Sequence, residues 1–254
     1  MNALSILAQT ILLTFTLLGA TTLQASVIIN STRVVYPQSD KEVTVRLESK
    51  NQAPVLVQTW LDKGDEHSTP EQGDIPFVVT PPIFRMEPGK QQVVRVAYTG
   101  EPLPPTQESL FWFNLLEVPA QPPGAQTGNH LQLAFRSRIK LFYRPHNLAY
   151  GVQAAPGKLQ WRRVSNAQGQ GQGLEVFNPT PYHVTFEAVE VLDSGQRHAR
   201  KTASPSSANM VVPGGRLRFE LPTLNSAPSA TATVQFQTLD DYGVKIAHSA
   251  KVPP

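Results

Sequence analysis

One short motif in the chain has the residue types and spacing of a nucleophilic enzyme site. Ser137-Arg-Ile-Lys140 matches the S-x-x-K spacing found in β-lactamases and penicillin-binding proteins. That chemistry needs the serine on a helix and the partner motifs S-D-N and K-T-G. Here Ser137 lies in an alternating apolar and polar stretch typical of a strand, where positions three apart point to opposite faces. An exported hydrolase would need a nucleophile with its base, and the sequence shows none.

The glycines, histidines and cysteines indicate no cofactor site either. Gly169-Gln-Gly-Gln-Gly173 has the glycine content of a phosphate loop, but no helix follows it, so a hairpin turn is the better interpretation. The 6 histidines lack the pairing with acids that a metal site would show. The absence of cysteine excludes disulfides and zinc–thiolate sites. We therefore predict no metal, no cofactor, no small-molecule substrate and no enzymatic activity.

Composition and charge narrow the class of protein further. The chain has 254 residues, of which 40% are hydrophobic and 16% charged, which is ordinary for a folded protein. Its 23 prolines argue against a helical bundle, because each proline in a helix interior costs about 3 kcal/mol. The net charge is +3, and no run of Lys or Arg forms the basic stripe that nucleic acid needs. Nucleic acid is therefore not an expected partner.

The elements that position these residues are strands. Apolar residues alternate with polar ones along most of the chain after Ala25, for example at Val43, Val45 and Leu47. Turn residues separate about seven such strands before residue 145, including single strands predicted over Val27–Tyr36, Phe77–Met86 and Leu131–Tyr143. This pattern is typical of an immunoglobulin-like sandwich. A second β-rich set follows Pro145, so we predict an all-β protein with domains at 26–147 and 148–254.

The first 25 residues predict export. They contain no charged side chain, and the apolar run Leu4 to Leu18 is followed by small and polar residues ending at Ala25. This is typical of a secretory signal peptide, residues 1–25, cleaved after Ala25. The alternative is an uncleaved membrane anchor, because Leu4 to Leu23 has about the 20 residues that span a bilayer.

The predicted strand before residue 145 is unusually long. From Leu131 to Leu141 the odd positions are apolar except Ser137, and this length is about twice that of an ordinary strand. One end should therefore extend past its sandwich, where its apolar face is covered by the second domain or left for a partner. Alternatively, all odd positions fill the core of the first domain.

Several stretches of the sequence resemble the periplasmic pilus-assembly chaperones of the chaperone–usher pathway. The residues that carry the resemblance are Thr32-Arg-Val-Val-Tyr-Pro37, Thr80-Pro-Pro-Ile-Phe-Arg-Met-Glu-Pro-Gly89, Gln107-Glu-Ser-Leu-Phe-Trp-Phe-Asn-Leu-Leu-Glu-Val-Pro119, Ser137-Arg-Ile-Lys-Leu-Phe-Tyr-Arg-Pro145, Asn178-Pro-Thr-Pro-Tyr182 and Asp241-Tyr-Gly243. The resemblance implies two immunoglobulin-like β-sandwich domains in a boomerang arrangement. It also implies a periplasmic protein that binds, folds and caps pilus subunits and delivers them to an outer-membrane usher. The short connection from Pro119 to His130 and the lack of cysteine resemble the short-loop, rod-pilus type.

The resemblance also assigns roles to particular residues. By this likeness, Arg33 and Lys140 anchor the C-terminal carboxylate of the subunit, a pairing that makes physical sense because a desolvated carboxylate needs charge-assisted donors. Without the family pattern, both would be taken as solvated surface charges.

Leu131, Leu133 and Phe135 match the family's apolar donor strand, which inserts into a groove that the subunit lacks a strand to fill. Lys140 has the opposite parity in the strand, so twist, or a bulge near Ser137, would have to reconcile the two.

A second set of residues matches a salt-bridge network between the domains. Glu108, Arg144 and Asp241 are implied to fix the interdomain angle, and as exposed pairs they would contribute at most about 1 kcal/mol each. The alternative is three unrelated surface charges. A rival function is an exported adhesin or pilus structural subunit, but such a subunit should lack a strand, whereas this chain has a full set.

Overall fold

The fold is described from a computed structural model that covers residues 26–71, 74–120, 132–165, 172–200, 209–226, 228–229 and 231–252. The predicted signal peptide and Leu131 lie outside these described residues. Within them, no helix has both the length and the apolar character needed to cross a membrane.

The first part of the chain folds as nine described strands in two sheets. They are β1 (Val27–Ile29), β2 (Arg33–Pro37), β3 (Glu42–Ser49), β4 (Val55–Asp62), β5 (Phe77–Thr80), β6 (Ile83–Met86), β7 (Gln91–Tyr98), β8 (Ser109–Pro119) and β9 (Phe135–Arg144). One sheet has the order β1-β3-β7-β5 and the other β2-β9-β8-β4-β6. Their inner faces enclose one apolar core, in which Tyr36, Leu47 and Phe113 are fully buried.

Two segments predicted as single strands each change sheets. Val27–Tyr36 divides into β1, which pairs with β3, and β2, which runs parallel to β9. Phe77–Met86 divides at Pro81-Pro82 into β5, paired with β7, and β6, paired with β4. Proline has no N–H to donate to a neighbouring strand. Pro81-Pro82 therefore ends β5 before β6 begins. The single-strand predictions were wrong because an apolar and polar alternation does not show which sheet a segment joins.

The predicted overlong strand is shorter than expected. β9 begins at Phe135, and residues 132–134 are not in a strand. β8 pairs with β9 from Phe135 to Tyr143, whereas β2 pairs only from Lys140 to Arg144. Residues 135–139 of β9 therefore have a neighbour on one side only among the described strands.

The second part of the chain forms another sandwich after two short 3-10 turns, Val152–Ala154 and Pro156–Lys158. Its strands are β10 (Gln160–Ser165), β11 (Gln172–Phe177), β12 (Val184–Asp193), β13 (Gln196–Ala199), β14 (Met210–Val211), β15 (Arg216–Leu221), β16 (Thr233–Leu239) and β17 (Lys245–Lys251). One sheet has the order β10-β11-β15 and the other β13-β12-β16-β17, with β14 also on β12. Trp161, Phe186, Phe219 and Phe236 pack against one another in a separate core. The second β-rich set predicted after Pro145 corresponds to these eight described strands.

Candidate functional site

Arg33 and Lys140 lie side by side at the centre of the candidate site. They are direct register partners in the parallel strands β2 and β9. Their neighbours Val34 and Leu141 belong to the core, so the alternation of side chains places Arg33 and Lys140 on the other face of the sheet. Arg33 is only 9% exposed and Lys140 only 8% exposed. The two residues are therefore not solvated surface charges.

The two cations are only partly compensated. Arg33 Nη1 donates to the carbonyl of Leu239 at 3.2 Å, while its buried Nε has no acceptor. No carboxylate within the described residues forms an ion pair with Lys140. Burial, with a smaller effect of the Arg33 charge, lowers the pKa of Lys140 to about 8. Burial also lowers the pKa of Arg33, against the opposing charges of Asp241 and Asp240. An anion bound between these donors would relieve both costs.

Aromatic rings support the cations on this face of β9. Lys140 Nζ lies 5.5 Å from the centre of the Trp112 ring, and the Arg138 guanidinium lies 4.9 Å from it. Arg136 lies over Trp60 at 4.8 Å. Such contacts stabilise a desolvated cation by about 0.5–2 kcal/mol. Trp112 therefore offsets a part of the burial cost of Lys140, a role that no sequence pattern indicated.

Arg136 and Arg138 are held by a single acid. The buried Asp62, at the end of β4, pairs with Arg138 at 2.8 Å and with Arg136 at 3.4 Å. Arg136 also donates to the carbonyl of Glu66 at 2.6 Å, which fixes the loop after β4 against the sheet. These arginines thus have partners within their own domain, whereas Lys140 has none among the described acids.

The apolar side chains at the start of β9 are exposed. Leu133 is 55% exposed and Phe135 is 48% exposed, and both precede the part of the strand that the core covers. Further along the same face, Ile139 packs partly against the core and Leu141 is buried. Thus Leu133 and Phe135 are not core residues in this structure, while the third predicted residue, Leu131, lies outside the described residues.

The parity of Lys140 needs no bulge. The pairing of β8 with β9 runs from Phe135 to Tyr143 without a register shift, so of the two alternatives left open, twist or a bulge near Ser137, the bulge is not present. Phe135 follows the face of the core residues Leu141 and Tyr143, and Lys140 follows the opposite face. The two predicted functions of β9 therefore use different faces of one regular strand.

Glu108, Arg144 and Asp241 form one continuous set of ion pairs between the domains. Arg144 Nε donates to Glu108 at 2.8 Å, and its Nη1 and Nη2 donate to both oxygens of Asp241 at 2.7 and 2.8 Å. Burial alone would lower the pKa of Arg144, but the hydrogen bonds and charges of Asp241 and Glu108 outweigh burial and raise it. Glu108 is buried, so the expectation of three exposed charges was wrong.

The network continues into a turn of the second domain that the sequence did not assign to it. The other oxygen of Glu108 accepts from the backbone N–H of His183 at 2.8 Å, and the Glu108 N–H donates to the carbonyl of Pro181 at 2.9 Å. Asn178 holds this turn by donating to the carbonyl of Tyr182 at 2.7 Å. The Asn178-Pro-Thr-Pro-Tyr182 motif therefore shapes the interdomain contact.

Comparisons with known proteins assign the chain to a family. Residues 26–149 match "Pili and flagellar-assembly chaperone, PapD N-terminal domain", and residues 154–250 match "Pili assembly chaperone PapD, C-terminal domain". The probable fimbrial chaperone YadV of Escherichia coli is 39% identical over 231 residues, which cover 90% of each chain. The chaperone protein FimB/FhaD of Bordetella pertussis is 36% identical over 233 residues, or 90% of this chain and 89% of the relative.

Solved structures agree with this assignment. The crystal structure of YadV matches with a TM-score of 0.74 at 38% identity, over 89% of this chain and 99% of that one. The CupB2 chaperone of Pseudomonas aeruginosa matches with a TM-score of 0.71 at 37% identity, over 89% of this chain and 100% of that one.

The chain belongs to the family of PapD-like pilus-assembly chaperones. The predicted family and the two immunoglobulin-like β-sandwich domains are thereby confirmed. Members of this family are periplasmic chaperones and not enzymes. The alternative of an adhesin or structural subunit is not favoured. The boomerang arrangement and the short-loop type stay predictions.

Proposed function

We propose that Arg33 and Lys140 bind the C-terminal carboxylate of a pilus subunit, while the exposed start of β9 supplies the strand that the subunit lacks. The chain chaperones pilus subunits, and its partners are those subunits and the outer-membrane usher that receives them.

The observation that carries the anchor is a buried pair of cations without an acid for Lys140 among the described residues. Holding two like charges together out of water is unfavourable unless an anion joins them. A main-chain carboxylate can accept from Lys140 Nζ and from the unsatisfied Nε of Arg33. Neighbouring acids do not compete, because Asp241 is held by Arg144 and Asp62 by two arginines.

Support for strand donation comes from the same strand. Residues 135–139 of β9 have β8 on one side and no described strand on the other, so their free N–H and C=O groups can pair with a subunit strand. The exposed Leu133 and Phe135 would enter the subunit groove and contribute about 1.5–3 kcal/mol each to binding. Leu131 would be the third such residue.

The proposal includes export and a role for the interdomain network. Removal of residues 1–25 after Ala25 would release the mature chain into the periplasm. The intact mass of the periplasmic protein should correspond to a chain that begins at Ser26, and a membrane-bound chain retaining residues 1–25 would contradict this step.

The Glu108–Arg144–Asp241 pairs would hold the two domains at a fixed angle, so that the anchor and the start of β9 reach one subunit together.

The test uses the subunit that co-purifies with the chaperone from periplasm, identified by mass spectrometry. Peptides of its C-terminal residues are made with a free carboxylate and with a C-terminal amide. We expect the free-acid peptide to bind and the amide to lose at least about 100-fold in affinity, because the amide cannot neutralise the cations. Equal binding of the two peptides would show that the anchor does not recognise a carboxylate.

A further inference from the structure

The second domain contains a cavity to which the proposed function gives no role. Its volume is about 270 Å³, and it lies between the 3-10 turns after residue 150, the start of β12 and the β16–β17 hairpin. Its apolar wall includes Val184, Leu239 and Ile246. Cavities that enclose whole drug-sized ligands measure roughly 300–1,000 Å³, so this volume suits a single side chain better.

The cavity adjoins the proposed anchor. Leu239, which lines it, accepts the hydrogen bond from Arg33 Nη1. His183, on another wall, has its ring 5.5 Å from that of Phe142, two residues after Lys140 in β9. The wall of the cavity therefore contacts Arg33 directly and contacts the strand of Lys140 through Phe142.

The acidic groups and the histidines of the cavity wall already have partners, His183 through Glu108. Asp241 is held by Arg144, and Asp240 accepts from N–H groups of its own turn. His248 Nε2 lies 2.9 Å from the hydroxyl of Thr238. With these groups occupied, the cavity favours an apolar occupant, since a charged one would enter without a counter-charge.

The rim presents apolar groups to solvent. Tyr242 is 88% exposed, and Ile246 is also exposed. Both lie on the β16–β17 hairpin that contacts the first domain through Asp241. Exposed apolar groups around a cavity are typical of a site for a partner.

We propose, resting on the proposed function, that this cavity receives one apolar side chain of the bound pilus subunit, from the part of the subunit next to its anchored C-terminus. The second domain then adds a specificity pocket to the carboxylate anchor of the first. A subunit with a charged side chain at this place would be captured less well.

A pair of matched variants tests the pocket. Ile246→Asp places a carboxylate on its wall, whereas Val244→Asp places one at an exposed position of the same hairpin outside the wall. With the purified complex of chaperone and co-purified subunit, we expect Ile246→Asp to accelerate dissociation at least about tenfold relative to Val244→Asp. Equal dissociation rates for the two folded variants would overturn the pocket.

Cross-linking identifies the occupant without depending on a destabilising change. A photoreactive benzoylphenylalanine replaces the exposed Tyr242 in the same purified complex. Cross-links to subunit residues close in space to its C-terminus support the proposal. Cross-links only within the chaperone, to a second chaperone copy or to the usher, or no cross-link at all, overturn it.

Lys140→Ala in the same assay separates this inference from the anchor. If Lys140→Ala loses the complex while Ile246→Asp and Val244→Asp dissociate at equal rates, the pocket is contradicted and the anchor is supported. Subunit binding by Lys140→Ala at the native level would contradict the anchor itself.

A second inference, which rests on the proposed cleavage after Ala25, concerns Glu117 at the end of β8. Its side chain is buried; Oε2 accepts from the Val27 N–H at 2.6 Å, but Oε1 has no hydrogen-bond partner. The residue before Val27 is Ser26, the first residue of the proposed mature chain. We infer that cleavage after Ala25 creates an ammonium group at Ser26 that pairs with Glu117, so that signal removal stabilises the folded protein.

The test compares the mature chain with a free and with an acetylated N-terminus. Acetylation should lower the thermal midpoint of the native sequence by several degrees and that of Glu117→Gln by much less. An equal decrease in both proteins would overturn the inference. If Glu117→Gln does not fold, equal midpoints of the free and acetylated native chains would still overturn it.

Discussion

Lys140 and Arg33 are register partners in adjacent parallel strands although both carry a positive charge. Such a pair is destabilising in the free protein, and the Trp112 ring beside Lys140 relieves only a part of the cost. The free chaperone therefore holds two adjacent positive charges that an anion can neutralise. Binding of a carboxylate converts an unfavourable pair into two charge-assisted contacts.

Removal of either charge should abolish subunit binding without lowering the stability of the free chaperone. Lys140→Met keeps the apolar stem over Trp112 and removes the ammonium group. Because a buried carboxylate left half-paired costs about 3–5 kcal/mol, the subunit complex should no longer be recovered from periplasm. The free variant should unfold at an equal or higher urea concentration than the native chaperone, since an uncompensated buried cation has gone. Arg33→Met should behave in the same way.

A lysine elsewhere serves as the control. Lys63 is an exposed residue after β4, so Lys63→Met should leave capture unchanged. Subunit recovery at the native level in both anchor variants would show that neither residue holds the terminus.

Affinity for the subunit should decrease above about pH 8. Burial and Arg33 lower the pKa of Lys140 to about 8, and a bound carboxylate would raise it again. Complex formation must then take up a proton at higher pH, so affinity is constant below about pH 8 and falls above it. Calorimetry at pH 8.5 in two buffers of different ionisation enthalpy measures that uptake. Lys140→Arg keeps its charge and should not show the decrease.

The same pKa affects the free protein with the opposite sign. The pKa of Lys140 is about 8 in the folded chain against 10.5 as the ordinary value, so between these values the folded state binds fewer protons than the unfolded state. The contribution of Lys140 to the free energy of unfolding therefore rises with pH across this window. In urea titrations, the free energy of unfolding should increase more from pH 7.5 to pH 10 for the native chaperone than for Lys140→Met. Equal gains would contradict a perturbed lysine.

The sequence predicts the strands well and their partners poorly. Alternation identified β3, because that strand has one face in the core and its period is local. It could not show that β1 and β2 enter different sheets, since Asn30 to Thr32 carry no signal for a crossover.

Some residues of the site could be identified from the sequence, and others only from the fold. The resemblance selected Arg33, Lys140 and Arg144 by their motifs. Trp112 contacts Lys140 across the strands, and His183 donates its N–H across the domains to Glu108, the partner of Arg144; no local pattern encodes contacts at such separations.

The start of β9 should act in binding and not in the core. Leu133→Asp would place an unpaired carboxylate in the apolar subunit groove, so capture should fail, while the free chaperone should unfold at nearly the native temperature because Leu133 is exposed. Ile139→Asp should instead destabilise the free chaperone by several kcal/mol, as Ile139 packs against the core. Thermal unfolding and periplasmic co-purification measure both effects. Equal destabilisation by the two variants would show that Leu133 belongs to the core.

The interdomain network should be asymmetric in its response to substitution. Arg144→Met leaves the buried Glu108 without its guanidinium, and the remaining contact with the His183 N–H cannot replace the charge. Breaking a buried pair in this way costs about 3–5 kcal/mol. Asp241→Asn should cost only about 1 kcal/mol, because Asp241 is the most exposed of the three and asparagine still accepts a hydrogen bond from Arg144.

Calorimetric unfolding distinguishes a joint between domains from a contribution to one core. If the network couples the domains, Arg144→Met should resolve the unfolding of the free chaperone into two transitions, one for each sandwich. Asp241→Asn should retain a single transition or a slight shoulder. Subunit capture by Asp241→Asn should be reduced less than by Lys140→Met, because the anchor itself stays intact. A single unchanged transition in Arg144→Met would mean that the ion pairs do not hold the domains together.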